Sequence, residues 1–234
     1  MKMFWAAIIL AAAIVFVGSA SNSPTKNQSI NDVSWPNCGL AAPVQPNPGI
    51  VGINGGLDFR PNPCLGKQLS WFSSVSVYIN TGYPGTKYGL KFQNSPKLCA
   101  TTDQECLAYN YGFNAARYDI KYASLQGVVA NRWWLDIETE NSWTNSAAVN
   151  RSALQGMIDA FSRYASPTQL GVYSYPGQWD LLTGNWRVGL PAWVASGSTN
   201  RQAAAYYCSL PSFSGGPVLL AQYTAGLDID ISCQ

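Results

Sequence analysis

Within Trp133-Trp134-Leu135-Asp136-Ile137-Glu138-Thr139-Glu140, one apolar residue separates Asp136 from Glu138. On a strand the two acids share a face, with α-carbons roughly 6.5 to 7 Å apart. Carboxylates that close push one pKa upward, which a general acid needs near neutrality. The competing reading makes Glu138 and Glu140 solvated residues of a first turn after the strand. Asp32, in Asn31-Asp32-Val33-Ser34-Trp35, and Asp228 and Asp230, in Leu227-Asp228-Ile229-Asp230-Ile231, fall in the first and last strand-like runs. In a closed parallel barrel those runs are neighbours, so their acids approach each other across the seam. The alternatives are an Asx turn or cap at Asp32 and an exposed face at Asp228 and Asp230, one of which is expected to be structural.

The rest of the composition narrows the chemistry. The 234 residues hold 12 Asp or Glu, 14 Lys or Arg and no His, a charged fraction of 11% where about 25% is usual. Without an imidazole, Ser-His-Asp and Cys-His nucleophile pairs and His-ligated metals are excluded, and acid/base work falls to carboxylates. A net charge of +2 with no basic run favours neither nucleic acid nor an anionic membrane surface. Gly55-Gly56 and the loop Asn80-Thr81-Gly82-Tyr83-Pro84-Gly85 lack the signatures of phosphate and dinucleotide loops, so no cofactor or metal is expected. Asp58 either reaches the mouth or makes a turn. Asp103, Glu105, Asp119, Asp159 and Asp180 read as solvated faces or caps. Tyr78, Tyr173, Tyr175, Trp193 and Tyr223 lie at or near strand ends, where aromatic rings stack on sugar rings, although aromatic residues also build cores. Trp134 shares a face with Asp136 and fits either role; Trp71, Trp179 and Trp186 read as packing.

Strand-length apolar runs bounded by Gly, Pro, Asn or Ser cover residues 30–35, 49–54, 75–80, 133–137, 170–173, 192–195, 218–223 and 228–231. Between them, Leu154, Met157, Ile158, Phe161 and Tyr164 recur at helical spacing up to Ser166-Pro167. A second helix is expected over 104–118 and a short one over 178–182. Strands alternating with helices predict a parallel sheet with right-handed crossovers, and about eight strands predict an α/β fold, an irregular TIM-type barrel.

The amino end reads as a secretory signal peptide over residues 1–20: Met1-Lys2-Met3, an apolar run, then Gly18-Ser19-Ala20. The alternative is a retained anchor, and membrane association is expected only in that case. A flexible leader is expected over 21–28 and a single barrel domain over 29–234. Export suits the even set Cys38, Cys64, Cys99, Cys106, Cys208 and Cys233, read as three disulfides. Spacing favours Cys99 with Cys106 as a local loop, then Cys38 with Cys64 and Cys208 with Cys233, against a zinc site without His or paired C-x-x-C spacing.

From Ile30 to Ser232 these motifs resemble the family-25 glycoside hydrolases, the muramidases or lysozymes of bacterial, fungal and phage origin. Asp32-Val33-Ser34 looks like that family's first-strand D-V-S, and Leu135-Asp136-Ile137-Glu138 like its fourth-strand D-x-E. Gly171-Val172-Tyr173 and Pro191-Ala192-Trp193-Val194-Ala195 look like its fifth- and sixth-strand motifs, and Gln222-Tyr223 with Asp228-x-Asp230 like its closing Q-Y…D-x-N. The opening through Pro36-Asn37-Cys38 looks closer still to a secreted branch described as glycoside hydrolase-like, which shares the barrel without a demonstrated activity. Tyr78-Ile79-Asn80-Thr81 departs from the family's Y-H-F, and Asn31 from its apolar residue before the aspartate.

The resemblance implies five βα units followed by closely spaced strands, with peptidoglycan as substrate. It implies Glu138 as general acid, Asp136 as partner, and Asp32 and Asp228 as supporting acids. Tyr78, Tyr173, Tyr175, Trp193, Gln222, Tyr223 and Asp230 are the expected substrate-binding residues. A secreted monomeric glycosidase acting on N-acetylmuramic acid–N-acetylglucosamine bonds is the leading expectation. A barrel that binds wall glycan without turnover, and a hydrolase of another amino-sugar polymer such as chitin, are the alternatives.

Overall fold

The computed structural model describes residues 25–43, 48–88, 92–165 and 170–234. The expected signal peptide over 1–20, the first half of the expected leader (21–24), and Ser166-Pro167 lie outside the described residues. Eight strands close into one barrel in chain order: β1 (Ser29–Val33), β2 (Gly49–Gly52), β3 (Val75–Asn80), β4 (Ala130–Asp136), β5 (Leu170–Ser174), β6 (Ala192–Ala195), β7 (Val218–Ala225) and β8 (Leu227–Ser232). β2 and β5 are buried along their whole length, as strands covered on one face by helices and on the other by the barrel interior must be.

β1 to β7 run parallel, whereas β8 is antiparallel to both β7 and β1. This corrects the all-parallel expectation. Only Gly226 separates β7 from β8, with Ala225 paired to Leu227, and a parallel connection needs a crossover of a dozen residues or more. Gly226 takes φ +86°, the left-handed region that glycine enters without a steric cost.

Among the described residues five helices cross between strands: α1 (Leu65–Leu69), α2 (Gln104–Leu125), α3 (Ala147–Tyr164), α4 (Pro176–Thr183) and α5 (Arg201–Tyr206). The β1–β2 link carries a 3-10 turn at Trp35–Gly39 instead, so the five βα units run from β2 to β6 and the closely spaced β7 and β8 follow them. α2 outruns its expected end because no breaker intervenes before Gly127, at φ +70°. Asp103 caps it, accepting from the Cys106 N–H at 3.0 Å, as a helix N-cap does. On α3, Leu154, Met157 and Phe161 are buried, while Tyr164, expected on the same face, is exposed at its edge.

α2 and α3 touch through Gly112 and Gly156. A Cβ on Gly112 would land on the Ala153 carbonyl oxygen, and one on Gly156 on the Tyr109 carbonyl oxygen. Both obstacles are helix backbone and cannot swing aside. Gly112→Ala is therefore expected to destabilise the protein by about 3 kcal/mol, read as a lowered urea midpoint.

The three disulfides are Cys38–Cys64, Cys99–Cys106 and Cys208–Cys233, the pairing that spacing favoured. They tie the turn after β1 to α1, the approach to α2 to its first turn, and the end of α5 to β8. With every cysteine paired, no thiolate is left for zinc. Three disulfides fit an oxidising, extracellular setting. Among the described residues no helix is long and apolar enough to cross a membrane.

Candidate active site

Alternation along the strands sorts side chains between the barrel interior and the helix layer. Inside, Ile30, Ile50, Tyr78, Trp134, Tyr173, Trp193 and Leu220 form one apolar cluster. Trp193 stands at its centre, with ring centroids 4.3 Å from Tyr173, 5.8 Å from Trp134 and 6.0 Å from Tyr78. Two strand glycines admit these rings. A Cβ on Gly171 would land on the Trp134 indole, and one on Gly52 would lie 2.9 Å from Tyr78 Cζ and 2.8 Å from Ser34 Cβ.

Above this aromatic floor, at the carboxyl end of β1 to β7, opens a cavity of about 120 Å³ lined by Asp32, Tyr78, Asp136, Glu138, Tyr173, Trp193, Gln222 and Asp228. All four expected mouth acids meet there. The reversed β8 decides which of its acids takes part. β8 starts at the mouth, so Asp228 lies at the rim and Asp230 one layer deeper, where the order would be inverted in a parallel strand. Asp230 is fully buried and accepts from Trp193 Nε1 at 2.6 Å. It holds the floor and does not line the cavity.

The end of β4 is clamped at three successive carbonyls. Asp136 O accepts from Thr81 N at 3.0 Å and Thr81 Oγ1 at 2.6 Å. Ile137 O accepts from Ser174 Oγ at 2.7 Å, and Glu138 O from Trp143 Nε1 at 2.9 Å. The Ile137 N–H still bonds Tyr173 O at 2.9 Å, so the ladder runs one residue past β4 and keeps Glu138 on the interior face with Asp136. Thr81 and Ser174 escaped sequence reasoning because their role is hydrogen bonding to another strand's backbone, and Trp143 because it bonds a carbonyl five residues back in its own loop; neither leaves a local pattern.

Gln222 orders the opposite wall. Its Nε2 donates to Asp32 Oδ2 at 3.2 Å and its Oε1 accepts from the Tyr173 hydroxyl at 2.6 Å. The same hydroxyl is within hydrogen-bonding reach of Glu138. It has one proton to give and serves one of the two acceptors at a time.

Burial, then the negative charge of Glu140 and Asp228, pushes Glu138 up to about 7, against a smaller pull downward from Tyr173. Asp32 and Asp136 are held well above the usual carboxylate range, first by burial and then by their acidic neighbours. Asp230 is raised likewise, by burial and by Asp32. Among the described residues no cationic side chain lines the cavity to offset this crowding.

These shifts set the pH dependence of stability. A carboxyl raised in the folded state binds more protons there than when unfolded, so its stabilising contribution is complete below its unfolded pKa and fades as pH rises through the folded one. The melting temperature is expected to fall from about pH 4.5 to about pH 7 as Glu138 ionises. Glu138→Gln is expected to remove that part of the slope in a series of thermal melts.

Besides Asp230, two expected binding residues stand apart from the cavity. Tyr223 follows inward-facing Gln222 on β7, so it points outward and packs in the cluster of Ala204, Ala221 and Ile231; adjacent strand residues do not share a face. Tyr175, 42% exposed, precedes α4 and borders a separate surface depression. Trp71 and Trp179 are buried in the main core, with Trp186 packed against it. Trp134 lies in the interior cluster below the mouth.

Asp119 corrects the reading of a solvated helix face. It is 0% exposed, with Oδ2 accepting from Asn54 Nδ2 at 3.2 Å. It falls on the stripe of α2 with Ala108, Gly112, Ala115, Ala116 and Ala123, all buried.

Fold and site together define a TIM-type α/β barrel with a carboxylate mouth over an aromatic floor. Residues 106–207, from α2 past β6 and including Asp136 and Glu138, match the family model described as Lysozyme-like protein 1 (Lys-1). The resemblance to lysozymes is thereby supported over this stretch. No curated protein matches the chain. In structure it is similar to a muramidase from Trichobolus zukalii, at 12% identity and a TM-score of 0.49, over 87% of this chain and 92% of that one.

Proposed function

We propose that this protein is a secreted glycoside hydrolase that cleaves the β-1,4 bond between N-acetylmuramic acid and N-acetylglucosamine in peptidoglycan. The observation that carries the reading is the meeting of Asp32, Asp136, Glu138 and Asp228 in one cavity over an aromatic floor. The match of residues 106–207 to a lysozyme-like family supports the substrate class.

Glycosidic cleavage needs a proton on the leaving oxygen and negative charge near the anomeric carbon as that centre becomes cation-like. Glu138, pushed up to about 7 by burial and acidic neighbours, keeps its proton in mildly acid solution and donates it to the leaving oxygen. Asp136 faces the developing charge. It stabilises that charge directly, orients the substrate's acetamido group for internal attack, or activates water. Asp32, fixed by Gln222, and Asp228, held by Thr224 Oγ1 at 2.8 Å, hold the acid pair in position. Tyr173 links the two walls and is placed to exchange a hydrogen bond with Glu138. The three disulfides and the amino-terminal sequence support export.

The reading is tested by incubating the oxidised, purified protein with peptidoglycan and, separately, with chitin, and measuring new reducing ends. Release from peptidoglycan alone is the expected result. Release from chitin alone would move the substrate to another amino-sugar polymer. No release from either, with retention on the wall, would replace the hydrolase by a binding barrel.

A further inference from the structure

A second cavity opens at the same end of the barrel, over the loops that follow β2, β3 and β4. It has a volume of about 250 Å³, and its lining includes Asp58, Thr81, Gly82, Tyr111 and Asn141. It has none of the four mouth acids in its wall, and no step proposed above uses it. Thr81 belongs to this wall and also holds the Asp136 carbonyl, so the cavity is built onto the clamped end of β4. Tyr83 N donates to Ser142 O at 2.7 Å, tying two of the loops together. Their approach requires glycine at position 82, where a Cβ would lie 2.9 Å from Ser142 O and 3.4 Å from Asp58 Oδ2.

Two polar atoms in this wall are shielded from solvent and have no hydrogen-bond partner among the described residues: Asp58 Oδ1, an acceptor, and Asn141 Nδ2, a donor. Shielded polar groups are ordinarily satisfied, and an orphaned pair lining one cavity calls for a ligand or a bound water. An acceptor and a donor together match a secondary amide, whose N–H and C=O are the complementary pair. Next to them, Trp35 is 47% exposed and lies against Gly56, where a Cβ would come 2.8 Å from its indole nitrogen. It offers a flat face of the kind sugar rings stack on. Tyr111 hydrogen-bonds the Asp58 carboxyl, and burial pushes that carboxyl up to about 8. A neutral carboxyl suits an uncharged ligand better than a cation, and with its proton on Oδ2, the oxygen beside Tyr111, its Oδ1 keeps the acceptor role.

We infer that this cavity is a subsite that recognises a secondary amide of the substrate, with Asn141 donating to its carbonyl and Asp58 accepting from its N–H. The inference rests on the proposed glycan-hydrolase reading and deepens it. In peptidoglycan such an amide occurs in the acetamido groups of the sugars and in the peptide stems.

The test uses the full-length Glu138→Gln protein, so that ligands stay intact, with and without Asn141→Ala or Asp58→Asn. Dissociation constants are measured by calorimetry for an N-acetylglucosamine tetramer, its fully deacetylated counterpart, and a disaccharide fragment carrying its peptide stem. Asn141→Ala is expected to weaken binding of an amide-bearing probe by about tenfold, near the upper end for one hydrogen bond, and to leave the deacetylated tetramer unchanged. Loss on the acetylated tetramer assigns the amide to the acetamido group. Loss confined to the fragment with its stem assigns it to the peptide. Unchanged affinities in both variants, equal losses on all three probes, or no binding of either amide-bearing probe by the Glu138→Gln parent would overturn the inference. Reducing-end release by the protein with Glu138 intact reports separately on hydrolysis, so the two readings fail independently.

Discussion

Glu138→Gln is expected to slow release of reducing ends from peptidoglycan by about two to four orders of magnitude, the range a positioned general acid contributes. The amide keeps the size of the side chain and its place beside Tyr173, but it has no acidic proton to give. The same substitution removes an ionisable group from a mouth where burial and the charges of Glu140 and Asp228 oppose ionisation. Above pH 7 the variant should therefore melt no lower than the parent, so lost turnover cannot be ascribed to lost fold. Asp136→Asn should also lower turnover, because Asp136 sits beside Glu138 with Oδ1 free of any protein hydrogen bond. A variant pair that retained parental rates at every pH would remove both acids from the mechanism.

The second large effect is expected at Trp193. This side chain is 1% exposed, contacts Tyr78, Trp134 and Tyr173, and donates a hydrogen bond to the buried Asp230 carboxyl. Trp193→Ala opens a cavity under the acids and strands a buried carboxyl. A loss of about 3 to 5 kcal/mol in a urea titration is expected from the cavity, with about 1 to 3 kcal/mol more from the unsatisfied group. Trp193→Phe separates the two contributions, since it keeps most of the ring and loses the N–H. If Trp193→Phe unfolded at the parental midpoint, the Trp193–Asp230 bond would have no place in what holds the floor.

The barrel was legible because each strand is a short apolar run between turn residues, and all eight runs lie at the positions read from the sequence. The D-x-E pair was legible for the same reason: period-two alternation puts Asp136 and Glu138 on one face, and a strand end puts them at the mouth. Strand direction was not, because alternation reads the same both ways. The clue lay in the linker, where Gly226 alone cannot house a crossover, and overlooking it left the roles of Asp228 and Asp230 unseparated. Tyr223 was placed beside Gln222 against the same alternation that grouped Asp136 with Glu138. Asp119 lies on a stripe of Ala and Gly at helical spacing, the face on which α2 is buried, and its type outweighed that pattern. α1 and α5 have five and six residues, too few for a helical period to show. Thr81 and Ser174 act through backbone bonds between strands, which only the closed barrel reveals, and Trp143 through a bond back to Glu138 O within its own loop.

The proposed cleavage requires burial and carboxylate crowding to hold Glu138 protonated. The pH dependence of kcat/KM for reducing-end release from peptidoglycan tests it most directly, because its alkaline limb reports the pKa of the essential acid in the free enzyme. A rate that falls tenfold for each pH unit above about 7 is the expected result. A rate flat across neutrality, an alkaline limb near the ordinary pKa of an exposed glutamate, or no turnover at any pH would contradict it.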